Sequence, residues 1–166
     1  MIVKVMVMAA FCLLFWAGCY LGTGTDQKNI KGFRSYPLSV QRLVEEDKNL
    51  ALMIPKQTSM LVTAVSNAIV FAVIFTIIGI ILKFTVGFDG FVDAFIYLLV
   101  FGEVLNLFDL AVIDLLWWRN SQRIRFSSIP DKDLYRSPKK HIDSFLRGIP
   151  VFAISAVIGA AIISLM

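Results

Sequence analysis

The chain has 166 residues, 58% hydrophobic and 17% charged, with a net charge of +4 and a mean hydropathy of +0.77. Soluble domains lie nearer about 45–50% apolar and 25% charged, and here the apolar excess collects in four long runs with the charges between them. That pattern leaves no room for a large water-soluble core or a nucleic-acid partner, and implies an all-α integral membrane bundle of four transmembrane helices.

The first run, residues 2–21, has a basic start, an apolar middle and Ala17-Gly18-Cys19, an ending that resembles a lipoprotein signal. The alternative is a retained first span, and the distribution of charge favours it. Cys12 and Cys19 fall on one helical face and read as small apolar residues rather than a redox pair. "GTGTDQK" (Gly22 to Lys28) lacks the strand-loop-helix setting of a nucleotide loop and reads as the exit from that span. In "SYPLSVQRLVEEDKNLALMIP", Pro37 suits a first helical position, Val40, Leu43, Val44 and Leu50 recur at helical spacing, and Pro55 ends the run. An amphipathic helix from about Pro37 to Met53 is expected to lie on the inner membrane surface.

The second span is expected at 59–84 and the third at 94–118. The short "TVGFDGFVD" between them implies an antiparallel hairpin. Ala64, Ala68 and Ala72, with Ser155 and Gly159 on the fourth span, offer smooth faces for close approach. "RIRF" reads as extended. In "SPKKHIDSFLRGIP", Ser137 can cap and Pro138 can start a helix leading to the fourth span at 149–166. His141, the single histidine, reads as a solvated loop residue. The whole is expected to be one transmembrane domain over 1–166, with loops 22–58 and 119–148.

Fourteen of the sixteen basic residues lie on those two loops. The positive-inside rule therefore places both loops in the cytoplasm and both termini outside, in a bacterial cytoplasmic membrane. A cleaved lipoprotein would reverse this and export all fourteen. Trp16, Tyr20, Trp117 and Trp118 fall near the expected inner interface, as aromatic belts do.

The chemistry concentrates in "FGEVLNLFDLAVIDLLWWRN" (Phe101 to Asn120). At about 100° per residue, Glu103, Asn106, Asp109 and Asp114 share an arc of about 140°. A carboxylate at mid-bilayer costs about 2.5–3.5 kcal/mol, and each Leu or Ile returns only about 0.5. No basic residue falls in the middle of any span to offset the cost. The acids must be protonated, hydrogen-bond to neighbouring helices, or face a water-filled or cation-binding cavity. Asn67 is expected level with Asp109 and in contact with it, and Thr76 likewise with Glu103. An intramembrane polar site is assigned to Glu103, Asn106, Asp109, Asn67 and Asp114. The plain alternative is interhelical glue, which is worth only about 0.6 kcal/mol per bond. Helical metal-ligand spacing is absent from these acids, and no metal or cofactor is expected. Arg119, Arg123, Arg125, Lys139 and Lys140 are candidates for holding anionic lipid headgroups, against plain topogenic charge.

"LGTGTDQKNIKGFRSYP", "LFDLAVIDLLWWRNSQRIRF" and "KKHIDSFLRGI" resemble segments of small four-helix membrane proteins of Gram-positive anaerobes, some of them labelled as transporter permeases. The resemblance spans most of the chain and carries no binding or catalytic residues with it. It implies transport. Three readings stand: a small transporter or transport-complex subunit, a membrane enzyme acting on a lipid headgroup at the inner interface, and an accessory or assembly protein. Membrane lipids and either further copies of the chain or a membrane-protein partner are the expected company.

Overall fold

The structure, a computed structural model, describes residues 2–166. Among the described residues, four helices are long and apolar enough to cross a membrane. They are the first spanning helix, Ile2–Leu21, the second, Met60–Thr85, the third, which starts with an α-helix at Gly90–Phe108, and the fourth, Lys139–Ser164. The protein is thus an all-α, multi-pass membrane protein. Contacts divide the chain into two compact units. A bundle unit holds residues 2–12, Thr58–Leu107 and Leu146–Met166, and a loop unit holds Leu13–Gln57 and Phe108–Phe145.

In the bundle unit the second spanning helix begins at Ser59, whose hydroxyl accepts the Val62 N–H at 3.2 Å. A ring cluster of Phe71, Phe75, Phe101 and Phe152 fills its centre. Lipid supplies no hydrophobic drive between helices, so close packing and interhelical hydrogen bonds must hold them. Small residues provide the approach. Gly102 lies where an added Cβ would meet Phe75 and Phe152 at about 3 Å, and Gly159 rests on Leu98 and Phe75. The expected smooth faces meet: the Ser155 hydroxyl donates to the Ala68 carbonyl at 3.0 Å. The second and third spans pack as the expected hairpin through Phe75 and Phe101, ring centroids 5.5 Å apart. The two basic residues outside the loops are paired here. Lys4 Nζ lies 3.4 Å from Asp93 Oδ2, and Lys83 Nζ donates to the Ile163 carbonyl at 2.9 Å.

The loop unit has a core of its own, built from Ile30, Phe33, Tyr36, Val40, Val44, Leu50, Trp118, Ile124, Phe126, Ile129 and Tyr135. Tyr36 is central to it. Its hydroxyl donates to the Ile124 carbonyl at 2.7 Å, and its ring packs on Trp118 and Phe126. The Tyr135 hydroxyl donates to the Ile129 carbonyl at 2.8 Å and accepts the Phe126 N–H at 3.1 Å.

Two expectations are corrected here. The amphipathic helix is two helices, Leu38–Glu46 and Lys48–Ala51. Asp47 takes an extended conformation between them, and its carboxylate accepts the Asn49 and Leu50 N–H groups at 2.9 and 3.0 Å. The Leu50 N–H, the Ser128 side chain and the Asn49 N–H hold that carboxyl below its ordinary value. Protein covers part of the longer helix's apolar face: Val40 and Val44 are fully buried in the loop core, while Leu38 and Leu43 stay exposed. The "RIRF" stretch is not an extended strand but leads into a tight turn closed by an isolated bridge between Phe126 and Ile129.

Burial pushes the Tyr36 hydroxyl well above its ordinary value. Its contribution to stability is therefore complete below about pH 10 and fades as the pH rises through the folded value. Tyr36→Phe is expected to cost about 1–3 kcal/mol, because it leaves the Ile124 carbonyl buried without its donor. It should also remove this part of the alkaline destabilisation. Thermal unfolding of both proteins at neutral and alkaline pH checks it.

Candidate functional site

The acidic stripe divides between the two units. Glu103 and Asn106 belong to the bundle unit, Asp109 and Asp114 to the loop unit. The division coincides with a change of helix type. After Phe108 the third spanning helix continues as a π-helix over Asp109–Trp117 and ends in a 3-10 turn, Trp118–Asn120. The Trp118 N–H donates to both the Ile113 and the Asp114 carbonyls. In an α-helix, residues five apart diverge by about 140°. The i→i+5 bonding of a π-helix instead stacks them on one side, and such segments concentrate at functional sites. Asp109 and Asp114 are five apart, so the π geometry turns both carboxylates the same way.

Asp114 meets His141. Its Nδ1 lies 2.9 Å from Asp114 Oδ2, with the His141 side chain 3% exposed and that of Asp114 15% exposed. Trp118 covers the imidazole, ring centroids 4.8 Å apart and edge to face. Asp109 is half-buried and within electrostatic reach of both Asp114 and His141. Cys19 lies within reach of both carboxylates. His141 Nε2 is buried with no hydrogen-bond partner. A buried ring with one nitrogen paired and the other open is a group set up to exchange a proton or to accept a donor from a bound molecule.

His141 is the residue that the sequence reading misplaced. It is a buried helical residue, not a solvated one, because the fourth spanning helix starts at Lys139. The signal was present. Ser137 and Pro138 mark a helix start, and a helix beginning there carries His141 in its first turn.

In the bundle unit, Asn106 is 5% exposed. Its Nδ2 donates to Glu103 Oε2 at 3.4 Å. The other carboxylate oxygen, Oε1, is buried without a partner. Thr76 spends its hydroxyl on its own helix, donating to the Ala72 carbonyl at 2.8 Å. The assignment of Asn67 to a buried polar site is corrected: with Thr63 and Ser66 it is on an exposed face of the second spanning helix, because that helix turns its Ala72, Phe75 and Gly79 face inward instead.

The basic candidates serve several ends. Arg123 Nε donates to the Tyr20 carbonyl at 3.0 Å, and the guanidinium lies over the Tyr20 ring, 4.1 Å from its centroid. Arg125 Nη1 donates to the Pro130 carbonyl at 3.3 Å, while its Nε and that of Arg119 are buried and unpartnered. Arg125 also borders an open pocket of about 350 Å³ with Gln122, Phe126, Ser127 and Pro130. Lys139 is exposed and Lys140 half-buried. Among the described residues, no three His, Cys, Asp or Glu side chains converge as a metal site of those ligands requires.

Comparison with protein-family models, curated proteins and solved structures found no match to this chain.

Proposed function

We propose that the protein is a small transporter, or a subunit of a membrane transport complex, in which Asp109, Asp114 and His141 bind and release a proton. One observation carries this reading: His141 is held by Asp114 at 2.9 Å, yet keeps Nε2 buried and unpartnered. A pair kept only to join two helices would have no use for an open ring nitrogen, since an unmet buried polar atom costs about 1–3 kcal/mol. Asp114 fixes the ring through its Nδ1, and Asp109 supplies a second carboxylate within electrostatic reach. Ionisable residues inside membrane spans mark proton and ion pathways. With the basic loops inside and both termini outside, the Trp117 end of the third span faces the cytoplasm.

The lipid-headgroup enzyme would use the same imidazole as a general base. It is favoured less, because Arg123 and Arg125 are engaged with the carbonyls of Tyr20 and Pro130 rather than gathered beside His141. The exposed Asn67, Thr63 and Ser66 offer hydrogen bonds to a partner helix or a second copy, in keeping with a bundle too small to enclose a path alone.

The test is purification from native membrane with whatever partner stays bound, then reconstitution into vesicles carrying an internal pH dye. A potassium diffusion potential should drive proton uptake well above that of protein-free vesicles. His141→Gln and Asp109→Asn should each lower it about tenfold or more. Uptake unchanged in both variants, or no protein-dependent uptake at all, rules the proposal out.

A further inference from the structure

The second spanning helix, Met60–Thr85, turns an amide outward inside the membrane. Its Ala72, Phe75, Gly79 and Leu82 face is buried against the other spans, and Asn67 is exposed away from that face. At about 1.5 Å per residue, Asn67 lies about 10 Å along a helix about 39 Å long, within the roughly 30 Å of hydrocarbon. Threonines on the same helix return their hydroxyls to it: Thr63 donates to the Ser59 carbonyl at 3.1 Å and Thr76 to the Ala72 carbonyl at 2.8 Å. Among the described residues no hydrogen bond engages the Asn67 amide, and hydrocarbon has no water to take the place of one.

Asn67 also sits in a seam. Thr63, Asn67, Val70, Ile74, Ile77 and Ile81 follow one another by alternating steps of four and three residues, the spacing by which left-handed helix pairs meet. All are exposed except the half-buried Ile74. The stripe lies about 140° round the helix from the buried face. One of its two edges is Asn67, Ile74 and Ile81, a single Asn among β-branched residues, which is the device that fixes register and copy number in coiled coils.

We infer that two copies of the chain pack their second spanning helices side by side along this seam, with the Asn67 amides hydrogen-bonded to each other across a two-fold axis. The chemistry selects a second copy over another partner. A primary amide is both donor and acceptor, so it is complementary to itself. Copies inserted with the same loops inside present Asn67 at the same depth, as an axis along the membrane normal requires. A different protein needs a polar group matched to that depth, and a charged one finds no opposite charge on the seam. Ala64 and Ser66 flank Asn67 round the helix, and their small side chains let the two backbones approach. The inference does not rest on the proton-uptake reading, since neither Asp109 nor His141 takes part.

The test uses the full-length chain with a fluorophore at its C-terminus, in vesicles of phosphatidylethanolamine and phosphatidylglycerol. Counting photobleaching steps should give two chains per particle, falling to one as lipid dilutes the protein. Asn67→Leu should weaken the association about tenfold, and Asn67→Gln, which keeps an amide, should weaken it less. The side chain faces outward in the single chain, so its fold does not depend on it. A second measurement needs no change at Asn67. With Cys12→Ala and Cys19→Ala removing the native thiols, Val70→Cys should join two chains by a disulfide under mild oxidation. Ile69→Cys, equally exposed but off the seam, should not. Single chains at every dilution, or three or more per particle, overturn the inference. So do pairs undiminished in Asn67→Leu, disulfides as frequent at Ile69 as at Val70, or a seam that cross-links in native membrane only to a different protein. His141→Gln should leave the pairing unchanged while lowering proton uptake, so the two readings fail separately.

Discussion

Asp114→Ala is expected to destabilise the protein by about 3–5 kcal/mol, the range for removing one partner of a buried ionic pair. The side chains are 15% and 3% exposed, so little water is available to replace what is lost. The substitution orphans His141 Nδ1 on a ring whose Nε2 already has no partner. Two further variants separate charge from packing. Asp114→Asn keeps an acceptor oxygen for the Nδ1–H and should cost less than half as much. Asp114→Leu combined with His141→Phe removes both polar groups together and should regain much of the loss, because the isolated penalty belongs to the unpaired partner. Thermal unfolding of these proteins in one detergent measures the costs, and the single variants Asp114→Leu and His141→Phe complete the double-mutant cycle. An Asp114→Ala protein within about 1 kcal/mol of the unaltered chain would mean that the pair is open to water, and the proton site would lose its basis.

Trp118→Ala should cost about 3–5 kcal/mol as well, through packing rather than charge. The indole is 8% exposed and touches three rings: Tyr36 at 4.8 Å, Tyr135 at 6.3 Å and His141 at 4.8 Å between centroids. It therefore serves the core of the loop unit and the wall of the site together. A second readout follows from composition. His141 is the only histidine in the chain, so its reaction with diethyl pyrocarbonate reports on a single imidazole. The unaltered protein should react slowly. Trp118→Ala should react at least tenfold faster, while a substitution on the exposed face, such as Lys139→Ala, should leave the rate unchanged. Equal rates in Trp118→Ala and the unaltered chain would show that the indole does not shield the ring.

Much of the architecture could be read before any coordinates. Hydropathy runs gave the four spans, and "TVGFDGFVD" gave the hairpin, because a helix long enough to cross hydrocarbon must be continuously apolar and a short join forces its neighbour antiparallel. The acidic stripe was legible for the same reason: a carboxylate is conspicuous where its insertion is costly. The loops were less legible. The alternation in Val40, Leu43, Val44 and Leu50 shows that one face of the segment seeks apolar surroundings, but membrane surface and protein core satisfy it equally. Tyr36, Ile124 and Phe126, far apart in sequence, decide for the core at Val40, Val44 and Leu50, while Leu43 stays exposed.

By itself, then, the sequence determined where apolar and charged groups must go, since desolvation acts on each residue type locally and leaves its mark as a pattern. Which polar groups meet was decided only by the tertiary structure. The π-helix over Asp109–Trp117 re-aims two carboxylates that a uniform 100° step would set about 140° apart. The early start of the fourth helix at Lys139 carries His141 to Asp114 across 27 residues of chain. Both depend on backbone register. A residue's own chemistry does not encode register, which is settled only when whole helices pack against one another.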